Sequence, residues 1–190
     1  MKIILGSQSQ SRKKILEDMG YEVTMMPSHI DEKQIRFEDP KKLTLALAHA
    51  KAAALLPRIM EPAILITADQ VVVWRGIIRE KPENTEEAKS FLRSFHESPQ
   101  ETVGGVVVTN TKTRKQFDGV DVAKIWFRRI PDEVIVRYIE SGDPFLHAGG
   151  FDHQHPIINE FVERIEGESE SIMGLPVALT KRLIQEATEV

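Results

Sequence analysis

The sequence contains no cysteine, so it offers neither a disulfide framework nor a thiolate metal site. Its apolar runs fall far short of the roughly 20 residues that a membrane helix needs, and its first residues lack the apolar core of a signal peptide. The net charge of −4 gives no general attraction to nucleic acid or to anionic lipid. We therefore expect a cytoplasmic protein that binds no membrane and makes no direct contact with nucleic acid.

The composition is that of an ordinary globular chain. Of its 190 residues, 41% are apolar and 28% are charged, which is close to typical globular usage. This length suffices for one sizeable core, or for two small lobes around a cleft, but not for two ordinary domains. We expect residues 1–190 to form a single domain.

Strand and helix patterns mix along the first half of the chain. Residues 2–6 predict a short buried strand, followed by a polar turn and a helix that ends at Gly20. Asp39 and Pro40 predict the N-cap and the first position of a helix that runs to about residue 56. Residues 63–67 are continuously apolar, as in a fully buried strand, which we expect to end where polar residues 69 and 70 interrupt it.

The second half continues this mixture. Residues 84–87 resemble the capping box of a helix to residue 95, and residues 103–109 and 120–127 predict two paired strands. Further helices are predicted at 132–140 and after residue 176. The order of elements favours a three-layer α/β fold, although the order of the strands in the sheet does not follow from the sequence.

The first candidate site is a hydroxyl-rich turn that contains Ser7 and Ser11 and is followed directly by Arg12. A strand-to-helix turn offers free backbone N–H groups to an anion, and Arg12 would add a forked cation for phosphate oxygens. In the competing interpretation, the serines only cap the helix and Arg12 is a solvated surface residue.

Single charged residues form the second group of candidates. Asp69 follows an apolar strand, where a carboxylate is costly unless its site is hydrated or liganded, and the alternative is a plain turn aspartate. Lys51 lies among alanines on the second helix, so its ammonium either extends to water or reaches into a cleft, and Lys81 has the same two interpretations. Glu32 lies in a charged loop, which by itself indicates only solvent exposure.

Residues 143–156 form a predicted loop rich in histidine, glycine and proline, and therefore a candidate functional segment. Imidazoles and carboxylates make zinc or iron sites. The spacing here matches no standard helix-borne ligand pair, so a metallohydrolase built on this loop is a minor alternative. Its residues would be His147, His153 and His155, with Asp143 and Asp152.

Taken together and in order, several blocks of the sequence resemble the Maf family of nucleoside triphosphate pyrophosphatases. The blocks are ILGSQSQSRKKIL, IDEK, LALAHAKA, ITADQVVV, REKP, SGDPFLHAGGFDHQ and MGLP, which span nearly the whole chain. The resemblance implies a two-lobed α/β fold with a central mixed sheet and a deep cleft between the lobes, related to the inosine-triphosphate pyrophosphatase (Maf/Ham1) fold. It also implies a homodimer.

The activity that the resemblance implies is hydrolysis of a nucleoside triphosphate to the monophosphate and pyrophosphate, with Mg²⁺ or Mn²⁺ as cofactor. The block match makes Asp69 the expected proton acceptor, and Asp69, Glu32 and Lys81 the expected catalytic set. The metal is expected on Glu32 and Asp69. The residues expected to bind substrate are Ser7, Ser11, Arg12, Lys51, Gln70 and Gln154.

The preferred base is left open by Ser11, Gln70 and Gln154. Relatives that act on dTTP and UTP usually carry Arg, Thr and Gln at these positions, and those that act on 7-methyl-GTP carry Trp, Gln and Glu. The mixture here is compatible with pyrimidine nucleotides (dTTP, UTP or CTP) or modified nucleotides, in a role that cleans the nucleotide pool. The alternative is a nucleotide-binding regulator of cell division or septum formation with little turnover, although such a binder gains nothing from Asp69 without a metal.

Overall fold

The computed structural model describes residues 2–190. Its strands are β1 (Ile3–Leu5), β2 (Val23–Met25), β3 (Ile64–Trp74), β4 (Ile77–Arg79), β5 (Gln100–Asn110), β6 (Gln116–Phe127) and β7 (Val162–Glu166). Its α-helices are α1 (Gln10–Asp18), α2 (Pro40–Leu55), α3 (Thr85–Ser94), α4 (Asp132–Glu140), α5 (Ser169–Met173) and α6 (Val177–Thr188). Within these residues, no helix has both the length and the apolar character needed to cross a membrane.

The strands form one mixed sheet in the order β2-β1-β3-β5-β6-β7, with β4 paired to β3. β1 is parallel to β2 and to β3, whereas the β3–β4 and β6–β7 pairs are antiparallel. Leu5 lies opposite Met25 on one side and Ile66 on the other, so the turn after β1 lies beside the middle of β3. The predicted α/β class with a central mixed sheet is confirmed.

The described chain divides into two compact units. The first comprises residues 2–70, Gly104–Asp121 and Met173–Val190. Its core consists of two clusters of fully buried side chains, one around Leu5, Ile66 and Leu183 and the other around Leu65 and Val107. Since β1, α1 and α2 all belong to this unit, the candidate residues Arg12 and Lys51 lie on elements of one compact unit.

The second unit comprises Val71–Val103 and Val122–Ile172. Phe95, Phe127 and Phe151 form the centre of its core, with ring centroids 4.9 to 5.4 Å apart. Two of these three contacts are edge-to-face, the arrangement that the quadrupoles of aromatic rings favour. This unit carries the loop after α4.

Helix α2 approaches the sheet closely because two residues of the sheet permit it. A Cβ atom on Gly105 of β5 would lie 2.7 Å from the carbonyl carbon of Thr44, so only glycine leaves room for the helix backbone. The hydroxyl of Thr67 on β3 donates to the carbonyl of Ala48 at 2.8 Å. Lys51 lies one turn after Ala48, so this contact directs the Lys51 side chain toward β3.

Helix starts follow the predictions from local sequence. Asp39 accepts hydrogen bonds from the backbone of Lys41 and Lys42, and Pro40 is the first residue of α2. Asn84 likewise accepts from the backbone of Glu87 at the start of α3. These caps are confirmed because they depend on neighbours within one turn of chain.

The structure corrects the prediction for β3 and adds three short elements. β3 does not end at residue 68 but continues through Asp69 and Gln70 to Trp74. It does so because residues 64–66 pair with β1 and residues 72–74 pair with β4, which keeps the backbone extended between them. The added elements are β4, β7 and α5, which have three to five residues each and therefore show no clear period.

Candidate active site

The turn after β1 is built from short local hydrogen bonds. The backbone N–H of Gly6 donates to the carbonyl of Ile66 at 2.7 Å, which fixes the turn against β3. Ser7 Oγ accepts from the backbone of Ser9, and Ser9 Oγ in turn accepts from the backbone of Arg12 as the N-cap of α1. The capping interpretation is therefore confirmed for Ser9, while Ser7 lies half-buried at the start of the turn.

Arg12 is held by two backbone carbonyls and is not a solvated surface residue. Its Nε donates to Gly174 O at 2.9 Å, and its Nη1 donates to Ala68 O at 2.8 Å. Burial lowers the pKa of Arg12, and the negative charges of Asp69 and Glu32 partly oppose that effect. The guanidinium is thus fixed beside two carboxylates, and Nη2 takes no part in these two bonds.

Lys51 lies at the centre of the charged cluster. Its Nζ is 2.6 Å from Asp69 Oδ1 and 2.9 Å from Glu32 Oε1, and its side chain is only 9% exposed. The interpretation in which this lysine extends to water is therefore wrong. A buried ammonium is stable here because two carboxylates neutralise it.

Asp69 is the buried acid of the cluster, whereas Glu32 is half open to solvent. The side chains of Asp69 and Glu32 are 11% and 51% exposed. Burial raises the pKa of Asp69 above its ordinary value, although the positive charges of Lys51 and Arg12 pull it down. An aspartate with a raised pKa is a stronger base than an ordinary one, as a proton acceptor requires.

Gly174 also belongs to this cluster, because its carbonyl binds Arg12. The sequence predicted no role for it beyond its place in the MGLP block. Its φ of +120° lies in a region that L side chains rarely adopt. An added Cβ would lie 3.1 Å from Gln70 Oε1 and 3.2 Å from Arg12 Nε. The absence of a side chain therefore lets the loop before α6 touch both residues.

The two carboxylates are ligands of the type that a divalent metal site uses. Glu32 and Asp69 both reach the ammonium of Lys51 within 3 Å, so their oxygens already converge on one positively charged position. Hard cations such as Mg²⁺ prefer carboxylate oxygens as ligands. The donor set therefore fits the metal that the sequence predicts.

The structure brings four of the predicted residues together within the first unit. Arg12, Glu32, Lys51 and Asp69 form one cluster in the first unit, which also contains Ser7, Ser11 and Gln70. Lys81 and Gln154 are exposed residues of the second unit, and their roles stay predictions.

The three loop histidines do not converge on one ion. His153 Nε2 lies 2.8 Å from Ser169 Oγ, and the ring of His155 packs on Tyr138 with a centroid distance of 4.9 Å. His147 instead pairs with Asp143. The minor alternative of a metallohydrolase built on all three histidines is therefore wrong.

Comparisons with known proteins extend over both units. Residues 2–187 match a family model described as Maf-like protein. A 7-methyl-GTP pyrophosphatase from Dictyostelium discoideum is 45% identical over 194 residues, covering 98% of each chain. A dTTP/UTP pyrophosphatase from Alkaliphilus metalliredigens is 35% identical and covers 93% of this chain and 91% of its own. A solved nucleoside-triphosphatase / dITP/XTP pyrophosphatase from Mycobacterium abscessus covers 100% of this chain and 98% of its own, with 14% identity and a TM-score of 0.44.

Proposed function

Because the chain belongs to the Maf-like protein family, we propose that it hydrolyses nucleoside triphosphates to nucleoside monophosphate and pyrophosphate. The observation that carries this proposal is the buried carboxylate of Asp69 beside the fixed cations Lys51 and Arg12. Cleavage of a phosphoanhydride requires that negative charge be neutralised, that a water be aligned, and that its proton be removed. The cluster contains groups suited to the first and third tasks.

Asp69 accepts the proton of the attacking water in this proposal. In the structure described here, its Oδ1 is bound by the ammonium of Lys51 at 2.6 Å. The oxygens of a bound triphosphate compete with Asp69 and Glu32 for that ammonium, which leaves the Asp69 carboxylate available as a base. The raised pKa of Asp69 then favours transfer of the proton from water.

The remaining residues hold the phosphates. Arg12 presents Nη2, and the turn at Ser7 presents backbone N–H groups at the start of α1, a location that favours anions. We assign Lys81 of the second unit to the same task, on the family block match. Glu32 and Asp69 hold the cofactor, Mg²⁺ or Mn²⁺. When bound, the cation supplies positive charge against the phosphate oxygens.

We propose pyrimidine or modified nucleotides as the substrates. The relative with 45% identity is a 7-methyl-GTP pyrophosphatase, whereas the dTTP/UTP pyrophosphatase compared above is 35% identical. Gln70 agrees with the residue usual in relatives that act on 7-methyl-GTP, and Gln154 with the residue usual in relatives that act on dTTP and UTP. Ser11 matches neither group. A glutamine amide both donates and accepts hydrogen bonds, so Gln70, packed beside Gly174, is suited to contact a base edge.

We also propose a domain organisation, a cellular location and an oligomeric state for the enzyme. The family match from residue 2 to residue 187 supports a single functional domain. A cytoplasmic location agrees with the lack of cysteine, and the net charge of −4 agrees with a protein that does not bind nucleic acid directly. A homodimer is proposed from the family resemblance alone.

The experiment is pyrophosphate release from a panel of triphosphates that includes 7-methyl-GTP, dTTP, UTP, CTP and the standard purine nucleotides, each with Mg²⁺, with Mn²⁺ and with EDTA. We expect metal-dependent release that EDTA abolishes, with a clear preference for one base. Folded protein that releases pyrophosphate from no triphosphate would contradict the proposal and would favour the regulator.

A further inference from the structure

A second potential metal site lies in the second unit, on residues that have no assigned part in hydrolysis. Asp143, His147 and Asp152 each offer one ligand atom, and these three atoms lie within 4.8 Å of one another. Within residues 2–190, they form the one group of three or more such side chains that is close enough to hold an ion. All three side chains are half-buried, which separates the group from an exposed acidic patch.

The spacing of the donor atoms suits a transition metal. His147 Nε2 lies 3.4 Å from Asp143 Oδ1. Two ligands bound about 2.0 Å from a tetrahedral ion are about 3.3 Å apart, so this pair already has the separation of two neighbouring ligands. The ligand atom of Asp152 lies within 4.8 Å of the other two, so a shift of at most about 1.5 Å brings it to the roughly 3.3 Å spacing of the same tetrahedral shell.

A buried tyrosine behind the cluster ties the carboxylate of Asp143 to the backbone of Asp152. The hydroxyl of Tyr138, a fully buried residue, donates to Asp143 Oδ2 and accepts from the backbone N–H of Asp152. This arrangement fixes Asp143 Oδ2 and directs Oδ1 toward His147, as outer-shell partners do in metal sites.

We propose that Asp143, His147 and Asp152 form a site for a single Zn²⁺-class transition-metal ion, distinct from the oxygen-only site proposed on Glu32 and Asp69. The imidazole nitrogen decides the class of metal, because nitrogen ligands suit Zn²⁺, Co²⁺ and Ni²⁺ and do not suit Mg²⁺. With three protein ligands, the remaining coordination positions are filled by water.

The role of this ion is to clamp the loop after α4. The three ligands bracket the glycine pair 149 and 150, both with positive φ, and the backbone N–H of Gly149 donates to Glu80 O at 3.0 Å. The loop therefore supports the segment that leads into Lys81. An ion that ties residue 143 to residue 152 reduces the freedom of this loop and stabilises the folded state in proportion to its occupancy.

The test is a Co²⁺ titration of the whole chain in excess Mg²⁺, followed by the visible absorption of Co²⁺, by metal analysis after dialysis and by thermal unfolding. We expect one Co²⁺ per chain, displaced by Zn²⁺, and a rise in Tm of about 5 to 10 °C at about 100-fold excess over Kd. His147→Gln should weaken Co²⁺ binding by at least about 100-fold, since even the loss of an outer-shell partner costs about 10- to 100-fold. Asp152→Asn should weaken it similarly.

Two controls separate this site from other possibilities. His49→Gln removes an exposed imidazole that pairs with only one carboxylate, that of Asp118, and should leave Co²⁺ binding unchanged. Asp69→Asn should also retain Co²⁺ while losing hydrolysis, so failure of the proposed enzyme function and failure of this site give different results. Absence of Co²⁺ from the wild type, or equal Co²⁺ binding by His147→Gln, Asp152→Asn and wild type, would overturn the inference.

Discussion

The ammonium of Lys51 lies 2.6 Å from the carboxylate of Asp69, and both side chains are buried. The two residues come from different elements, α2 and β3, which the Thr67 hydroxyl ties together through Ala48. A buried pair of this kind is worth little as a source of stability, because removing both charges from water is costly. Its presence is better explained by the chemistry of Asp69, whose ionisation it adjusts.

The pH dependence of activity should reveal this adjustment. Lys51 lowers the pKa of Asp69 against the upward effect of burial, so Lys51→Met should raise the pKa of Asp69 further. A proton acceptor works only when ionised, and therefore the fall of kcat/KM toward acid pH should begin at a higher pH in Lys51→Met than in wild type.

The measurement is kcat/KM against pH, with Lys14→Met as control because Lys14 forms an exposed pair with Asp18. Loss of a charged hydrogen bond to phosphate should also lower kcat/KM of Lys51→Met by about 10- to 150-fold at its optimum. An acid limb at the same pH in Lys51→Met and wild type would contradict the assignment of Asp69 as the base.

Gly174→Ala tests whether this loop positions Arg12. The new methyl group would lie 3.1 Å from Gln70 Oε1 and 3.2 Å from Arg12 Nε, so both side chains must shift. We expect kcat/KM to fall by about 10-fold or more, since small displacements of a positioned group are costly in rate. Gly76→Ala is the matched control, because Gly76 also has positive φ but no atom within 4 Å of the added Cβ. Equal activity losses in the two variants would mean that backbone strain alone is responsible.

Gly105→Ala tests the close contact between α2 and the sheet. The added Cβ would meet backbone atoms of residues 44 and 45 at 2.7 to 2.9 Å, which cannot yield as a side chain would. We expect a loss of about 3 kcal/mol or more in the free energy of unfolding. At the adjacent Gly104, the nearest atom is a proline carbon at 4.0 Å. Gly104→Ala should therefore change stability by about 1 kcal/mol or less, and similar urea midpoints for the two variants would refute the contact.

Local features of the fold were predictable from the sequence, and long-range ones were not. Asp39 and Asn84 act within one helical turn, so the sequence alone predicts their caps. The path of β3 through Asp69 depends on two partner strands that pair with its two ends. No local pattern carries that information, because a polar pair inside an apolar run also fits a strand that ends there.

The same distinction holds for the site. The local sequence around Arg12 is compatible with a surface residue of α1. Its guanidinium nevertheless binds Gly174 O in a loop 162 positions further along the chain. Glu32 lies in a charged loop that indicates only solvent, but its carboxylate reaches the buried Lys51. Only the resemblance to a family connected these residues, because their chemistry depends on tertiary contacts between separate segments.

The most direct test of Asp69 as the proton acceptor compares Asp69→Asn with Asp118→Asn and wild type in the metal-dependent release of pyrophosphate from the best triphosphate. Asp118 is an exposed aspartate that pairs with a histidine, so its substitution controls for the loss of one carboxylate. We predict that Asp69→Asn loses about 10²- to 10⁴-fold in kcat while circular dichroism and the urea midpoint show a folded protein, and that Asp118→Asn stays within about twofold of wild type. Wild-type turnover by folded Asp69→Asn would contradict this role of Asp69.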